Sequence, residues 1–194
     1  MEPAVICLSG KRKSGKDYVA VQLKKLLEAK KVKVVIRGVS YPLKKEFARI
    51  HHLDYEKLKS DGPYKEVYRK PMVTWSEKIR CDDPDYFCRL AVKDVNDADV
   101  VIISDCRRPT DIQFFRKNFL HTRFVRVVAD VKVRESRGFC FTKGVDDEET
   151  ECALDNFSEW DTVIENNQNN TSSEVFESSL FNQLSKLAVD LLFP

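Results

Sequence analysis

Apolar and polar positions follow one another in blocks whose period switches between that of a strand and that of a helix. The run Ala4-Val5-Ile6-Cys7-Leu8 is continuously apolar, the pattern of a strand buried on both faces, and the polar stretch from Ser9-Gly10 ends it. Val19, Leu23, Leu26 and Leu27 then recur at helical spacing. Val32 to Ser40 (VKVVIRGVS) is rich in β-branched residues and predicts a second strand. Pro42 fits a helix start, with Leu43, Phe47 and Ile50 on one face. From Asp54 to Arg80 the chain is polar, basic and aromatic, and Gly62-Pro63 and Pro71 divide it into short expected helices. Asp83-Pro84 opens another helix with Phe87, Leu90 and Ala91 inward, and Asp97-Ala98-Asp99 precedes the apolar strand Val100 to Ile103. Beyond Ser104-Asp105-Cys106-Arg107-Arg108, Pro109 suits the first turn of a helix holding Ile112 and Phe115. Arg123 to Ala129 and Trp160 to Glu165 predict the fourth and fifth strands, and Phe176, Leu180, Leu184, Leu187 and Leu191 a C-terminal helix. Between them, Arg134 to Glu151 has no apolar face.

Strands alternating with helices predict an α/β fold: three layers, with a five-stranded parallel sheet flanked by helices and ligands gathered at the carboxyl ends of the strands. No internal repeat or linker interrupts it. Residues 1–194 therefore read as one domain, with 54–82 an insertion that grips a second substrate and 130–152 a mobile lid.

Composition narrows the class without naming a chemistry. The 194 residues are 42% hydrophobic and 33% charged, ordinary for a globular protein, and no apolar run approaches the ~20 residues of a membrane span. Met1-Glu2-Pro3 begins no signal peptide, so the expected place is the cytosol, with no membrane partner and a monomer as the expected state. A net charge of +2 gives no support to a general nucleic-acid role, and the basic residues are interrupted by acids. The six cysteines form no C-x-x-C pair, and with three histidines there is no zinc-ligand spacing; free, mostly buried thiols are expected. The sequons in Asn169-Asn170-Thr171-Ser172 then mean only a polar loop.

The chemistry is concentrated after the first strand. Gly10, Lys11, Arg12, Lys13, Ser14, Gly15 and Lys16 match G-x-x-x-x-G-K, in which glycines let backbone N–H groups wrap a phosphate chain and the lysine adds a mobile positive charge. The loop leads into a helix whose N-terminus attracts anions. Asp17 stands where Ser or Thr is usual, and a carboxylate can still hold a hydrated Mg²⁺. Asp105 ends an apolar strand, as the acidic partner of such a loop does; an Asp there is also a common helix cap, but the strand-end position and the phosphate loop agree on a site role. Arg107 and Arg108 face the same edge, and two adjacent guanidiniums there suggest an anionic acceptor. Lys65, Arg69 and Arg80 lie in the insertion. Arg134 and Arg137 would meet a transferring phosphoryl group on lid closure, and Asn166-Asn167 end the fifth strand. These residues point to phosphoryl transfer from ATP with Mg²⁺ in a P-loop kinase fold, with Lys16, Asp17, Asp105, Arg107 and Arg108 catalytic. A nucleoside monophosphate kinase, or a nucleotide-binding protein without catalysis, would share the loop.

Read together, SGKRKSGKD (9–17), YKEVYRK (64–70), DPDYFCR (83–89), SDCRRPTDIQFFR (104–116), VRVVA (125–129), GVDDEETEC (144–152), ALDNF (153–157) and VIEN (163–166) resemble the animal phosphomevalonate kinase family, in order along nearly the whole chain. The resemblance implies a nucleoside-monophosphate-kinase-like fold with a lid, and transfer from ATP to 5-phosphomevalonate. It implies that Lys11 to Asp17 hold ATP, with Lys16 on the transferred phosphate, and that Asp17 is a family trait. Lys65, Arg69, Arg80, Arg107, Arg108 and Asn166 would face phosphomevalonate; Arg134, Arg137 and Asn167 would face ATP. Asn167 and Lys143 depart from the family pattern, which carries His and Pro there. The ending Leu191 to Pro194 is no peroxisomal signal.

Overall fold

The computed structural model describes residues 2–60, 62–167 and 174–192, with side chains in the last stretch from 179 to 190. The loop 169–172, the side chains of Phe176 and Leu191, and the terminal 193–194 lie outside the described residues. The chain divides into two compact units, Met1–Ile36 with Val95–Pro194, and Arg37–Asp94.

The first unit is built on a parallel sheet of β1 (Ala4–Ser9), β2 (Val34–Arg37), β3 (Val100–Ile103), β4 (Thr122–Val128) and β5 (Thr162–Glu165), in the order β2-β3-β1-β4-β5. In register, Val5 lies beside Val101 and Thr122, and Val125 beside Thr162. The chain runs from β1 to one side and crosses after β3 to the other, so the loops after β1 and β3 open at the switch point of the sheet. Ile6 and Leu8 pack with Val19, Leu23 and Leu27 of α1 (Lys16–Ala29) and with Leu180, Leu184 and Leu187 of the C-terminal helix at Glu174–Leu192. Val5, Cys7, Val101 and Ile103 at the alternate positions are equally buried, which is why these strands read as unbroken apolar runs. The helix Pro109–Asn118 packs on β1 and β4, and Pro109 sits in its first turn as its sequence predicts.

The second unit is helical. Its helices are Ser40–His51, Tyr55–Lys59, Pro63–Asp82 and Tyr86–Ala91, around a core of Phe47, Ala48, Leu58 and Met72, with Trp75 edge-on to Phe47 at 5.5 Å. Three expectations change here. The first helix starts at Ser40, so Pro42 occupies the third helical position, where its missing N–H would have had no intrahelical partner. Ile50 is 42% exposed, and Ala48 takes the inward place instead. Pro71 does not divide the next helix, which runs unbroken for 20 residues. The acceptor Pro71 leaves unserved is the carbonyl of Val67, a residue 68% exposed, where water can serve it, and the apolar face around Met72 holds the helix together across it. All six cysteines are free, but Cys81 and Cys140 are exposed and Cys152 is half-buried.

Candidate active site

The loop between β1 and α1 needs both of its glycines for reasons of space. A Cβ on Gly10 would lie 2.3 Å from the carbonyl oxygen of Val127 in β4. One on Gly15 would lie 2.1 Å from Nδ2 of Asn166, and Gly15 has φ +87°, where a side chain is strained. Lys16, 8% exposed, turns back over the loop, its Nζ donating to the carbonyls of Gly10 at 2.7 Å and Lys11 at 3.2 Å. Burial pushes the ammonium down to about 8, with the nearby Arg107 guanidinium adding to the shift, while the carboxylates of Glu151, Asp17 and Asp105 work against it. The expected strand-end groups therefore act on one another's charge. The buried hydroxyl of Ser14 has no hydrogen-bond partner among the described residues, which leaves it to serve an incoming oxygen.

The end of β3 lies against this loop. The amide of Cys106 donates to the carbonyl of Leu8 at 3.0 Å, and Asp105 is half-buried beside it. The helix that follows is not capped by Asp105. The N-cap residue is Arg108, and Asp111 in the first turn, 1% exposed, reaches back so that its Oδ2 accepts from the backbone N–H groups of Arg107 at 3.0 Å and Arg108 at 3.1 Å, one half of a capping box. That contact fixes the backbone of both arginines. Arg107 pairs with the carboxylate of Glu151 and donates to the carbonyl of Thr150 at 3.2 Å.

Residues 130–155 supply the third group. They carry the short helices Val131–Ser136 and Glu149–Cys152. Arg134 donates to the carbonyl of Arg12 at 2.8 Å and lies 3.9 Å over the ring of Phe139. Arg137 reaches the carbonyls of Ser14 at 3.3 Å and Asn166 at 2.9 Å. Asp146 accepts from Arg12 at 2.9 Å, and Asp155 pairs with Lys11 at 2.5 Å and Arg126 at 3.3 Å.

Two residues of the fifth-strand end are engaged with protein. Asn166 is 1% exposed, and its Nδ2 donates to the carbonyl of Ser14 at 2.9 Å. Asn167 accepts the backbone N–H of Asp130 at 2.8 Å. In the second unit, Lys65, Arg69 and Arg80 lie on one unbroken helix, at turns that put them within roughly 60° of one another at about 100° per residue. Arg69 makes a two-pronged pair with Glu66, and Arg80 lies 5.1 Å over the ring of Phe87.

A family model described as phosphomevalonate kinase matches residues 8–121. The chain is 38% identical over 170 residues to the phosphomevalonate kinase of Drosophila melanogaster, covering 84% of this chain and 88% of that one. The chain belongs to the phosphomevalonate kinase family. Among solved structures, TT1252 from Thermus thermophilus superposes with a TM-score of 0.52 at 17% identity, over 98% of this chain and 99% of that one; the likeness bears on the fold alone.

Sequence reasoning placed the phosphomevalonate kinase cations but none of the acids that hold them. Glu151, Asp146 and Asp155 stand in stretches quoted for the family resemblance, without a role. Arg126, whose guanidinium donates to the Ser9 hydroxyl at 3.1 Å, interrupts the apolar run Phe124 to Val128 of β4, and that interruption is its signal in the sequence.

Proposed function

We infer that the chain is a phosphomevalonate kinase, transferring the γ-phosphoryl group of ATP to the phosphate of (R)-5-phosphomevalonate to give 5-diphosphomevalonate and ADP, a step of isoprenoid and sterol synthesis. Besides family membership, the observation that carries this reading is the buried Lys16 ammonium inside the loop after β1, within electrostatic reach of Arg107 and Asp105 at the end of the adjacent β3. Both substrates are polyanions, and the reaction asks for positioning and positive charge rather than covalent help.

In this reading Gly10 to Asp17 cradle the ATP phosphates, with the Ser14 hydroxyl and Lys16 turned to the transferred group. Arg107 and Arg108 hold the acceptor phosphate, with Lys65, Arg69 and Arg80 of residues 54–82 gripping the rest of phosphomevalonate. Residues 130–152 form the lid, which brings Arg134 and Arg137 to ATP. Asn166 faces phosphomevalonate with its buried Oδ1, which has no hydrogen-bond partner among the described residues, while its Nδ2 holds the loop at Ser14. Asn167 reaches the nucleotide indirectly, by holding the start of the lid at Asp130. Two oxygen donors, Asp17 in the first turn of α1 and Asp105 just after β3, act on the Lys16 charge, a set that suits a hydrated Mg²⁺ held partly through water. Mg²⁺ there would offset charge on the β- and γ-phosphate oxygens. The protein works as a monomer in the cytosol; among the described residues no helix is long and apolar enough to cross a membrane.

The test is ADP release by the purified protein with Mg-ATP and 5-phosphomevalonate, beside AMP, CMP, UMP, dTMP and a control without acceptor. Turnover confined to phosphomevalonate is expected. Preference for a nucleotide would overturn the acceptor assignment and leave the donor loop in place.

A further inference from the structure

A carboxylate buried in the middle of a cationic site is out of place in a protein that binds two polyanions. Glu151 is such a group. Its side chain is 3% exposed, and it pairs with the Arg107 guanidinium, whose own side chain is 32% exposed. Its backbone is held as well: the Glu151 carbonyl accepts from Lys11 Nζ at 2.8 Å, and the neighbouring Thr150 carbonyl accepts from Arg107 at 3.2 Å. The short helix Glu149–Cys152 is therefore gripped by one cation from the phosphate loop and one from the end of β3.

The arrangement answers a physical problem. Arg107 and Lys16 repel each other at close range, as the effect of Arg107 on the Lys16 ammonium shows. A half-exposed arginine with no fixed partner would swing away from a buried ammonium. Glu151 attracts both, and it is the carboxylate that holds Arg107 in the site through a direct bond. Its burial leaves it no solvent to turn to, so the guanidinium it holds has one favoured place.

We propose that Glu151 is a positioning residue for phosphoryl transfer: by pairing with Arg107 at the end of β3 and anchoring the helix 149–152 to Lys11, it holds the Arg107 guanidinium beside Lys16 in the geometry the acceptor phosphate requires. The inference rests on the phosphomevalonate kinase reading of the site. It gives a role to a residue that lies outside both the phosphate loop and the arginine pair.

The experiment compares wild type with Glu151→Gln, Glu151→Asp, Arg107→Gln and the double variant, measuring kcat, KM for each substrate and the thermal midpoint. Glu151→Gln keeps the shape and removes the charge, and the solvent-accessible Arg107 stays hydrated without it. Its kcat should fall by about tenfold to 100-fold, the order expected when a reacting group is displaced by about an ångström, with KM for Mg-ATP changed by less than about twofold. Glu151→Asp should recover part of the loss. In the Arg107→Gln background, adding Glu151→Gln should change kcat by less than about twofold, because the two act through one contact. Wild-type kcat in Glu151→Gln, or losses that multiply in the double variant, would overturn the proposal. A lower acceptor KM with raised kcat in Glu151→Gln would also overturn it, by making Glu151 a competitor of the substrate for Arg107. Absence of phosphomevalonate turnover in the wild type would instead remove the functional reading itself, which separates the two failures.

Discussion

Lys16 is the residue on which electrostatics and catalysis meet most directly. Its ammonium is held at about 8 against an ordinary 10.5, chiefly because burial disfavours charge. Between those two values the unfolded chain binds more protons than the folded one. Stability therefore rises with pH across that window, and the penalty of a buried ammonium is present in full below about 8. In the proposed mechanism activity has the opposite sign, since there only the charged form assists transfer. In the free enzyme kcat/KM for Mg-ATP should decline above about pH 8, and Lys16→Met should abolish turnover while keeping a cooperative thermal transition. Rate measurements from pH 6 to 10 with melting curves check both, and a flat profile to pH 10 would remove the Lys16 charge from the mechanism. The phosphate loop itself was legible from glycine and lysine spacing, because that chemistry is local. What was not legible is why the glycines are needed: Gly10 yields to Val127 and Gly15 to Asn166, neighbours more than a hundred residues away.

At the scale of elements, Asp111 shows how a helix start doubles as a site device. One carboxylate oxygen accepts from the amides of both Arg107 and Arg108. Asp111→Ala leaves two buried donors without that acceptor and should destabilise the fold by about 1–3 kcal/mol, while raising the KM for phosphomevalonate more than that for Mg-ATP. Denaturant unfolding and steady-state kinetics read the two effects, and an unchanged acceptor KM would confine Asp111 to capping. The strands β1 and β3 and the helix at Pro109 were readable because burial on both faces leaves an unbroken apolar run and proline fits a first turn. The helix Pro63–Asp82 was legible at its start, where Gly62 is the N-cap and Pro63 the first helical residue, but not across Pro71, a breaking signal whose compensation comes from elsewhere. Met72 and Trp75 of that helix pack with Phe47 of the helix Ser40–His51 and carry it across Pro71. Its continuity also puts Lys65, Arg69 and Arg80 on one face, which short separate helices would not have done.

For the whole molecule, the first unit closes its site by contacts between distant segments of chain. Lys11 with Asp155, Arg12 with Asp146, Ser14 with Arg137 and Arg107 with Glu151 tie the loop after β1 and the end of β3 to residues 137–155. A ligand bound only by the folded state adds its binding energy to that closure. Mg-ATP at about 100 times its dissociation constant should stabilise the protein by about 2.7 kcal/mol, read as a rise in thermal midpoint that Lys16→Met loses. No rise in the wild type would remove ATP from the loop.

The sequence by itself determined the strands, the order of alternating elements and the phosphate loop, because hydrophobic period and glycine spacing are properties of neighbouring residues, and it carried the family in stretches that match in order along the chain. Only the tertiary structure decided which acid meets which cation, that Asn166 is buried beneath the loop, and that the helix start is closed by Arg108 and Asp111 rather than by Asp105. Charge pairing is set by distance in space. Glu151 and Arg107 are 44 positions apart in the chain and have no shared period, and only the closing of the sheet brings them together.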